Sequence, residues 1–389
     1  MKRWNESLLD DVANINPLES LPKGKIAKKI AMEMLRSFTK KVSGYSIDPY
    51  NGGVKFRNGD TIVARITPCL ENGKTAYIDV LDEHEVGYGS TEYIVLREKP
   101  NVSDKQFLYY FAISDAFRDV AISAMTGSSG RQRVEIDVIK RHKFLLPSLP
   151  EQRAIAGVLS SLDDKIDLLH RQNKTLKAMA ETLFRQWFVE EVNEDWETVS
   201  VGQFVKTNIS SIDKNYELKT IRYLDTGSLT EGKIECFQNF EITDAPSRAR
   251  RIVKHDDILI STVRPNQKHY GIIKHPDKDI IVSTGFCVIT CEDINPHFIY
   301  MFLTTNDMTE YLHSIAEGST STYPSLKPSD IESLEFKLPP LERLTAFANY
   351  ANTAWEKIDY NHKQIRTLEK LRDTLLPKLM SGEVRLKCH

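Results

Sequence analysis

The stretch LPEQRAIAGVLSSLDDKIDLLHRQNKTLKAMAETLFRQWFVEEVN, residues 149–193, decides how this chain folds. Within it Leu162, Ile166, Leu169, Asn173, Leu176, Ala180, Leu183 and Trp187 follow one another at alternating intervals of four and three, the seam of a coiled coil. No Pro or Gly interrupts residues 158–193. A second seam lies 192 residues further on, at Ala354, Ile358, Asn361, Ile365, Leu368, Arg372, Leu375 and Leu379, again without Pro or Gly from 341 to 376. Each seam is half of an interface, so the two helices are expected to pair with each other. A two-fold-like relation between them favours the antiparallel direction. Asn173 and Asn361 then come close enough to share a hydrogen bond, a polar pair that fixes register at some cost in stability.

The same shift exposes a repeat through nearly the whole chain. Trp4 falls on Trp196, and the strand-like run 59–66 falls, after a five-residue gap, on 256–263. Ser90-Thr91 falls on Ser283-Thr284, Phe107-Leu108-Tyr109 on Phe298-Ile299-Tyr300, and Gly127-Ser128 on Gly318-Ser319. Leu146-Pro147-Ser148-Leu149 falls on Leu338-Pro339-Pro340-Leu341 and closes each globular part. Strands are expected at 60–66, 75–80, 92–96 and 144–146 with a helix over 104–124, and in the second copy at 257–263, 271–274 and 285–290 with a helix over 296–315. The expected architecture is α+β: two repeated mixed α/β domains, 1–148 and 194–340, and two long helices, one over 149–193 and one within 341–389 followed by a C-terminal tail, forming an antiparallel coiled coil with pseudo-two-fold symmetry.

An apolar fraction of 41% and a charged fraction of 27% belong to a soluble globular chain. No apolar run is long enough to cross a bilayer, and residues 1–10 lack the pattern of a signal peptide, so no membrane association and a cytoplasmic location are expected. Five scattered cysteines fit neither a disulfide framework nor a zinc site, and no metal is expected in this chain. The 52 Lys and Arg are balanced by 54 Asp and Glu, so any surface for nucleic acid must be local. Local basic clusters exist at Lys23, Lys25, Lys28 and Lys29; at Arg131, Arg133, Lys140, Arg141 and Lys143; and at Arg248, Arg250, Arg251 and Lys254.

Motifs for catalysis are missing. Gly73-Lys74-Thr75 has Pro68 where a phosphate-binding loop needs a glycine. Asp48-Pro49-Tyr50 lacks the second Pro of an adenine methyltransferase. Glu335-Phe336-Lys337 after Asp330 superficially resembles a metal nuclease, yet the first copy has Lys143, Phe144 and Leu145 there. The histidines, His84, His142, His255, His269, His275 and His297 among them, form no pattern with a nucleophile. No catalytic residue is therefore assigned.

Several segments carry a resemblance. Phe56-Arg57-Asn58-Gly59-Asp60-Thr61, the run from Ala64-Arg65-Ile66-Thr67-Pro68 to Gly73-Lys74-Thr75, and Gly89-Ser90-Thr91-Glu92-Tyr93 stand in the first domain. Ala245-Pro246-Ser247-Arg248-Ala249-Arg250-Arg251, Ser261-Thr262-Val263-Arg264-Pro265-Asn266 and Ser283-Thr284-Gly285-Phe286 stand in the second, and Leu149-Pro150-Glu151-Gln152-Arg153 opens the first helix. These resemble the specificity subunits of type I restriction-modification systems, with two different types of target recognition domain. The second junction, Leu341-Glu342-Arg343, departs from the pattern by lacking Pro-Glu-Gln. The resemblance implies a non-catalytic subunit that reads a bipartite, asymmetric target in double-stranded DNA, one half-site per domain. It implies two methyltransferase subunits on the helices and two restriction/translocase subunits beyond them, with S-adenosylmethionine, ATP and Mg²⁺ held by those partners and no cofactor in this chain. The competing reading is a coiled-coil scaffold that binds protein and has no DNA specificity.

Bases are read by side chains reaching groove edges, Arg and Lys suiting guanine, Asn and Gln suiting adenine. Loops after strands offer Arg65, Lys74, Arg131 and Gln132 in the first domain, and Arg264, Asn266, Gln267 and Lys268 in the second. Ser90, Thr91, Ser128, Ser283, Thr284, Ser319, Thr320 and Tyr323 occupy repeat-matched turns and suit phosphates, bases or capping equally.

Overall fold

The computed structural model describes residues 4–213, 216–318 and 325–386. They form two compact units: 1–169 with 364–389, and 170–363. Each unit thus contains one globular domain and a piece of both long helices.

In the first unit, one four-stranded sheet has the order Ala13–Ile15, Tyr93–Glu98, Thr61–Ala64, Thr75–Tyr77, all antiparallel. A second has the order Ser46–Pro49, Ile26–Ile30, Gly87–Gly89, Val54–Phe56, with Ile26–Ile30 and Gly87–Gly89 parallel. Asn5–Leu8 pairs with Lys143–Leu146 and brings the chain's beginning to the end of the domain. The second unit repeats this plan. Its sheets are Val205–Thr207, Phe286–Cys291, Ile258–Ser261, Tyr270–Ile272 and Gln238–Glu241, Thr220–Leu224, Ile280–Ser283, Ala249–Ile252, again with one parallel pair, and Thr198–Ser200 pairs with Glu335–Lys337. The central strands Thr61–Ala64 and Ile258–Ser261 are buried on both faces, which is why they read as apolar runs.

Each domain's single expected helix is in fact two. Lys105–Ile113 is capped by Asp104, whose Oδ1 accepts the N–H groups of Gln106 and Phe107, and it ends at Ser114. Ser114 is extended (φ −77°, ψ 155°) and Asp115–Ser123 follows. In the second unit Pro296–Thr304 and Asn306–Glu317 are divided at Thr305, whose hydroxyl accepts the Met308 N–H. Thr305 restarts its helix as a side-chain N-cap, whereas the Ser114 hydroxyl donates back to Phe111 O at 2.7 Å and closes the helix before it; periodicity alone overlooks both.

The long helices are Leu149–Arg185, followed by a π-helical turn Gln186–Glu190, and Leu341–Ser381. The first ends a few residues short of the expected 193; the second continues through Pro377 because Leu379 beyond it is buried in the first unit's core. Within the first unit, Ile166 and Leu169 pack with Ile365 and Leu368, and Asp163 pairs with Arg372. Within the second, Asn173 meets Asn361 while Ala180 and Phe184 share a core with Phe347, Ala351 and Ala354. In both, rising numbers on one helix meet falling numbers on the other, so the pairing is antiparallel.

Candidate nucleic-acid interface

In the first domain the strand Thr61–Ala64 runs into a compact loop, 65–74. The Thr67 N–H donates to Gln132 O at 3.0 Å, the Val134 N–H donates to Arg65 O at 2.9 Å, and Ile66 bridges Arg133. The small hairpin of Met125–Thr126 and Arg133–Val134 is thereby fastened to the loop's start. Glu92 stands at the junction: Arg133 grips its carboxylate with Nε at 2.9 and 3.0 Å and Nη2 at 2.8 Å, and Arg65 Nε lies 3.9 Å away. Glu92 keeps the Arg133 guanidinium more firmly protonated than usual. The Ser90 hydroxyl accepts the Glu92 N–H at 3.1 Å. The structure therefore gathers Arg65, Ser90, Thr91, Arg131 and Gln132 at one edge, with Ser128 in the hairpin's exposed loop.

These residues are not equally available. Thr91, Ser128 and Arg131 are exposed and Gln132 is half-buried. Arg65 is half-buried beside Glu92, and the Lys74 ammonium donates to Met32 O at 3.1 Å, so both cations have internal work. A free lysine and a lysine bonded to a carbonyl look the same in sequence. Arg133, present only as a member of a basic cluster, proves to be the residue that ties the hairpin to the sheet.

The second domain builds its loop more rigidly. Pro265–Gln267 forms a 3-10 turn flanked by Arg264 and Lys268, both left-handed at φ 49° and 57°. Gln267 N–H donates to Arg264 O and Lys268 N–H to Pro265 O, each at 2.9 Å. Pro265 is buried as the anchor, while Arg264, Asn266 and Gln267 are exposed. The half-buried Lys268 is engaged along the surface, its ammonium 3.0 Å from Asn306 Oδ1 and 3.6 Å from Glu231 Oε1; it holds the turn. Thr262 N–H donates to Gly285 O at 2.8 Å and Thr284 N–H to Arg248 O at 2.8 Å, so exposed Thr284 and Arg248 join the same edge. Ser283 is buried, its hydroxyl accepting the Gly285 N–H at 3.1 Å as a turn former. Ser319, Thr320 and Tyr323 lie outside the described residues; Ser325 just beyond them bridges Val263.

The segment resembling a nuclease has structural occupations. Asp330 Oδ2 accepts the Lys327 N–H at 2.7 Å as a helix cap, Glu335 sits in the strand pairing with Ser200, and Lys337 donates to Glu194 O at 2.7 Å. Among the histidines, by contrast, the fold does create a group. His255 and His275 stack with ring centres 4.1 Å apart, and His275 Nε2 is 3.0 Å from Glu356 Oε2. Lys274 already sits 3.3 Å from Glu356 Oε1. His255 Nδ1 accepts the His275 N–H at 3.1 Å, which leaves the ring proton on Nε2, the nitrogen nearer Glu356. The group therefore fits an ion-pair lock on the helix better than a cation site, and it draws the Glu356 carboxyl below its usual range, His275 contributing most.

Two repeated domains, each carrying a polar loop edge, and two antiparallel helix pieces in every unit define a class of duplicated DNA-specificity chain, and the comparisons with known proteins agree. A model of the type I restriction modification DNA specificity domain matches residues 1–178 and 193–373, and the chain belongs to that family. It is 27% identical over 312 residues to the type I restriction enzyme MjaIX specificity subunit of Methanocaldococcus jannaschii, covering 72% of this chain and 69% of that one. It is 32% identical over 161 residues to the EcoAI specificity subunit of Escherichia coli, covering 39% of this chain and 27% of that one. The crystal structure of a type I restriction-modification S subunit from M. genitalium shares the fold, with a TM-score of 0.58 at 15% identity over 97% of this chain and 96% of that one. Among the described residues no helix is long and apolar enough to cross a membrane.

Proposed function

We propose that this chain is the non-catalytic reader of a type I restriction-modification complex, recognising a bipartite, asymmetric site in double-stranded DNA with one half-site per domain. The observation that carries the reading is a shared frame with unlike contents. Both domains fasten a loop after the central strand to the turn before the next long strand, yet one edge offers Thr91, Ser128, Arg131 and Gln132 and the other Arg248, Arg264, Asn266, Gln267 and Thr284. The same scaffold with different groups suits two different short sequences. The long helices carry two methyltransferase subunits, and two restriction/translocase subunits join them; S-adenosylmethionine, ATP and Mg²⁺ belong to those partners.

Sequencing the methylated adenines of DNA from cells carrying this chain and its partners tests the reading. A single two-part motif with an unread spacer is expected. Methylation without such a motif, or no sequence-specific shift of any duplex by the assembled complex, would favour a protein-binding scaffold. Turnover of S-adenosylmethionine or Mg²⁺-dependent nicking by the pure chain would contradict the absence of a catalytic centre.

A further inference from the structure

Each domain contains two facing residues in left-handed backbone, and three of those four residues are not glycine. Phe38 (φ 51°) faces Gly73 (φ 69°), and Glu231 (φ 48°) faces Lys268 (φ 57°). The Phe38 N–H donates to Gly73 O at 3.1 Å and the Glu231 N–H to Lys268 O at 2.9 Å. The positions correspond in the repeat, separated by 193 residues for Phe38 and Glu231 and by 195 for Gly73 and Lys268. In both copies the second member ends the loop that follows the central strand.

The side chains then close each pair by unrelated chemistry. The Phe38 ring lies so close over Gly73 that a Cβ there would stand 2.6 Å from the ring. Arg118 covers that ring, its guanidinium 4.6 Å from the centre, and donates from Nη2 to Glu71 O at 3.1 Å within the same loop. In the second domain the Glu231 carboxylate lies 3.6 Å from the Lys268 ammonium, and Lys177 of the first long helix donates to Glu231 O at 3.0 Å.

Left-handed backbone is disfavoured for bulky side chains and persists only where the surroundings impose it. Burial does not impose it on Phe38, which is 44% exposed, nor on Glu231, which is exposed too. Unrelated residues holding one costly geometry at one place in two domains point to a need of the backbone they grip. We propose that Phe38 with Gly73, and Glu231 with Lys268, are positioning clamps that fix the far ends of the loops following the two central strands, to which each domain's polar edge is fastened, so that each clamp sharpens the reading of its own half-site. This rests on the functional reading above and deepens it. Phe38 and Glu231 act through the loop, not by touching bases.

The test uses the full chain assembled with its modification partner, comparing Phe38→Gly and Glu231→Gly with the unaltered complex. Glycine accepts left-handed backbone without strain, so each change removes the gripping side chain while relaxing the chain. Methylated-site sequencing is expected to show roughly tenfold lower discrimination at one half-site for Phe38→Gly and at the other for Glu231→Gly, the size of one lost base contact. Tm is expected to hold or rise. Exchanging the charges, Glu231→Lys with Lys268→Glu, is expected to keep the second half-site sharp where Glu231→Lys alone does not. Sharp half-sites in both glycine variants overturn the clamp, as do joint relaxation of both half-sites and a Tm that falls in step with discrimination. An unaltered complex that methylates no two-part motif overturns the functional reading and the clamp with it.

Discussion

Asn361 donates from Nδ2 to Asn173 Oδ1 at 2.7 Å across the two long helices, with both residues buried. The other ends of these amides, Asn173 Nδ2 and Asn361 Oδ1, have no partner among the described residues. Their repeat equivalents are Ile365 and Leu169, which pack with Ile166 and Leu368. One polar pair thus interrupts seams that are otherwise mostly apolar, and only two of its four amide atoms have a partner.

Replacing both asparagines by Leu is therefore expected to leave stability equal or higher, while a single replacement leaves a buried amide with no partner and costs about 1–3 kcal/mol. Chemical denaturation of the singles and the double checks this. A double variant less stable than either single would mean that the pair is worth more than its unsatisfied atoms cost.

In the first unit the corresponding lock is ionic. Arg372 Nη1 is 2.9 Å from Asp163 Oδ1, Tyr110 donates to Asp163 Oδ2 at 2.6 Å, and the side chains of the ion pair are only 10% and 6% exposed. Asp163→Leu alone removes the buried partner of the guanidinium and leaves it only Asp373, 2.8 Å from Nη2; it should cost up to about 3 kcal/mol, and Asp163→Leu with Arg372→Met should recover most of that loss. Denaturation midpoints of the three variants decide it.

His297 gives the chain a defined acid sensitivity. It is fully buried against Trp355, and burial first, then the Lys274 ammonium 3.5 Å from Nε2, lowers its pKa to about 4. The unfolded chain takes up this proton near pH 6.5 and the folded chain only near 4. Stability is thus complete above pH 6.5 and falls between about 6.5 and 4, by about 3 kcal/mol at most. His297→Leu should flatten the pH dependence of unfolding in that window; an unchanged slope would assign it to other groups.

The seams, the repeat and the antiparallel Asn pair were legible because periodicity and self-similarity are written in the local order of residues. The second sheet of each domain was not. Ile26–Ile30 carries Lys28 and Lys29 among its apolar residues, and its parallel partner Gly87–Gly89 is too short and too poor in side chains to announce a strand. The candidate edge was legible as loops but not in its local bonding: charge alone makes Lys74 and Lys268 candidates for DNA contact, and only the distances to Met32 O and Asn306 Oδ1 show that each ammonium also has a partner within the fold. Phe38 and Glu231 left no trace, since what they share is a backbone angle.

The exposed turn of the second domain should read one half-site alone. Asn266→Ala or Arg264→Ala is expected to lower discrimination there by about 1–3 kcal/mol per lost bidentate contact, leaving the other half-site unchanged. Lys268→Ala is expected to blur the same half-site, by loosening the turn rather than by removing a base contact. Methylated-site sequencing checks all three variants, and relaxation of both half-sites by Asn266→Ala would end the modular reading.

The last prediction concerns the spacer. The chain passes between its two units only inside the long helices, at 169/170 and 363/364. Leu149–Arg185 is 37 residues and Leu341–Ser381 is 41, or about 56 and 62 Å at 1.5 Å per residue. That is comparable to some 16–18 base pairs at 3.4 Å, enough for two short half-sites and an unread stretch. Asn173 stands opposite Asn361, so insertions at facing levels belong after Lys174 and after Asp359. Four residues in each add about 6 Å and turn the seam by about 40° in the right-handed sense. One to two base pairs of right-handed DNA add about 3–7 Å and about 35–70° in the same sense. Rise and rotation both then call for a spacer longer by one or two base pairs, with half-site sequences unaltered. Sequencing the methylated sites of the lengthened complex decides it: an unchanged spacer at full activity would show that the helices do not set the distance, and altered half-sites would show that reading is not confined to the domains.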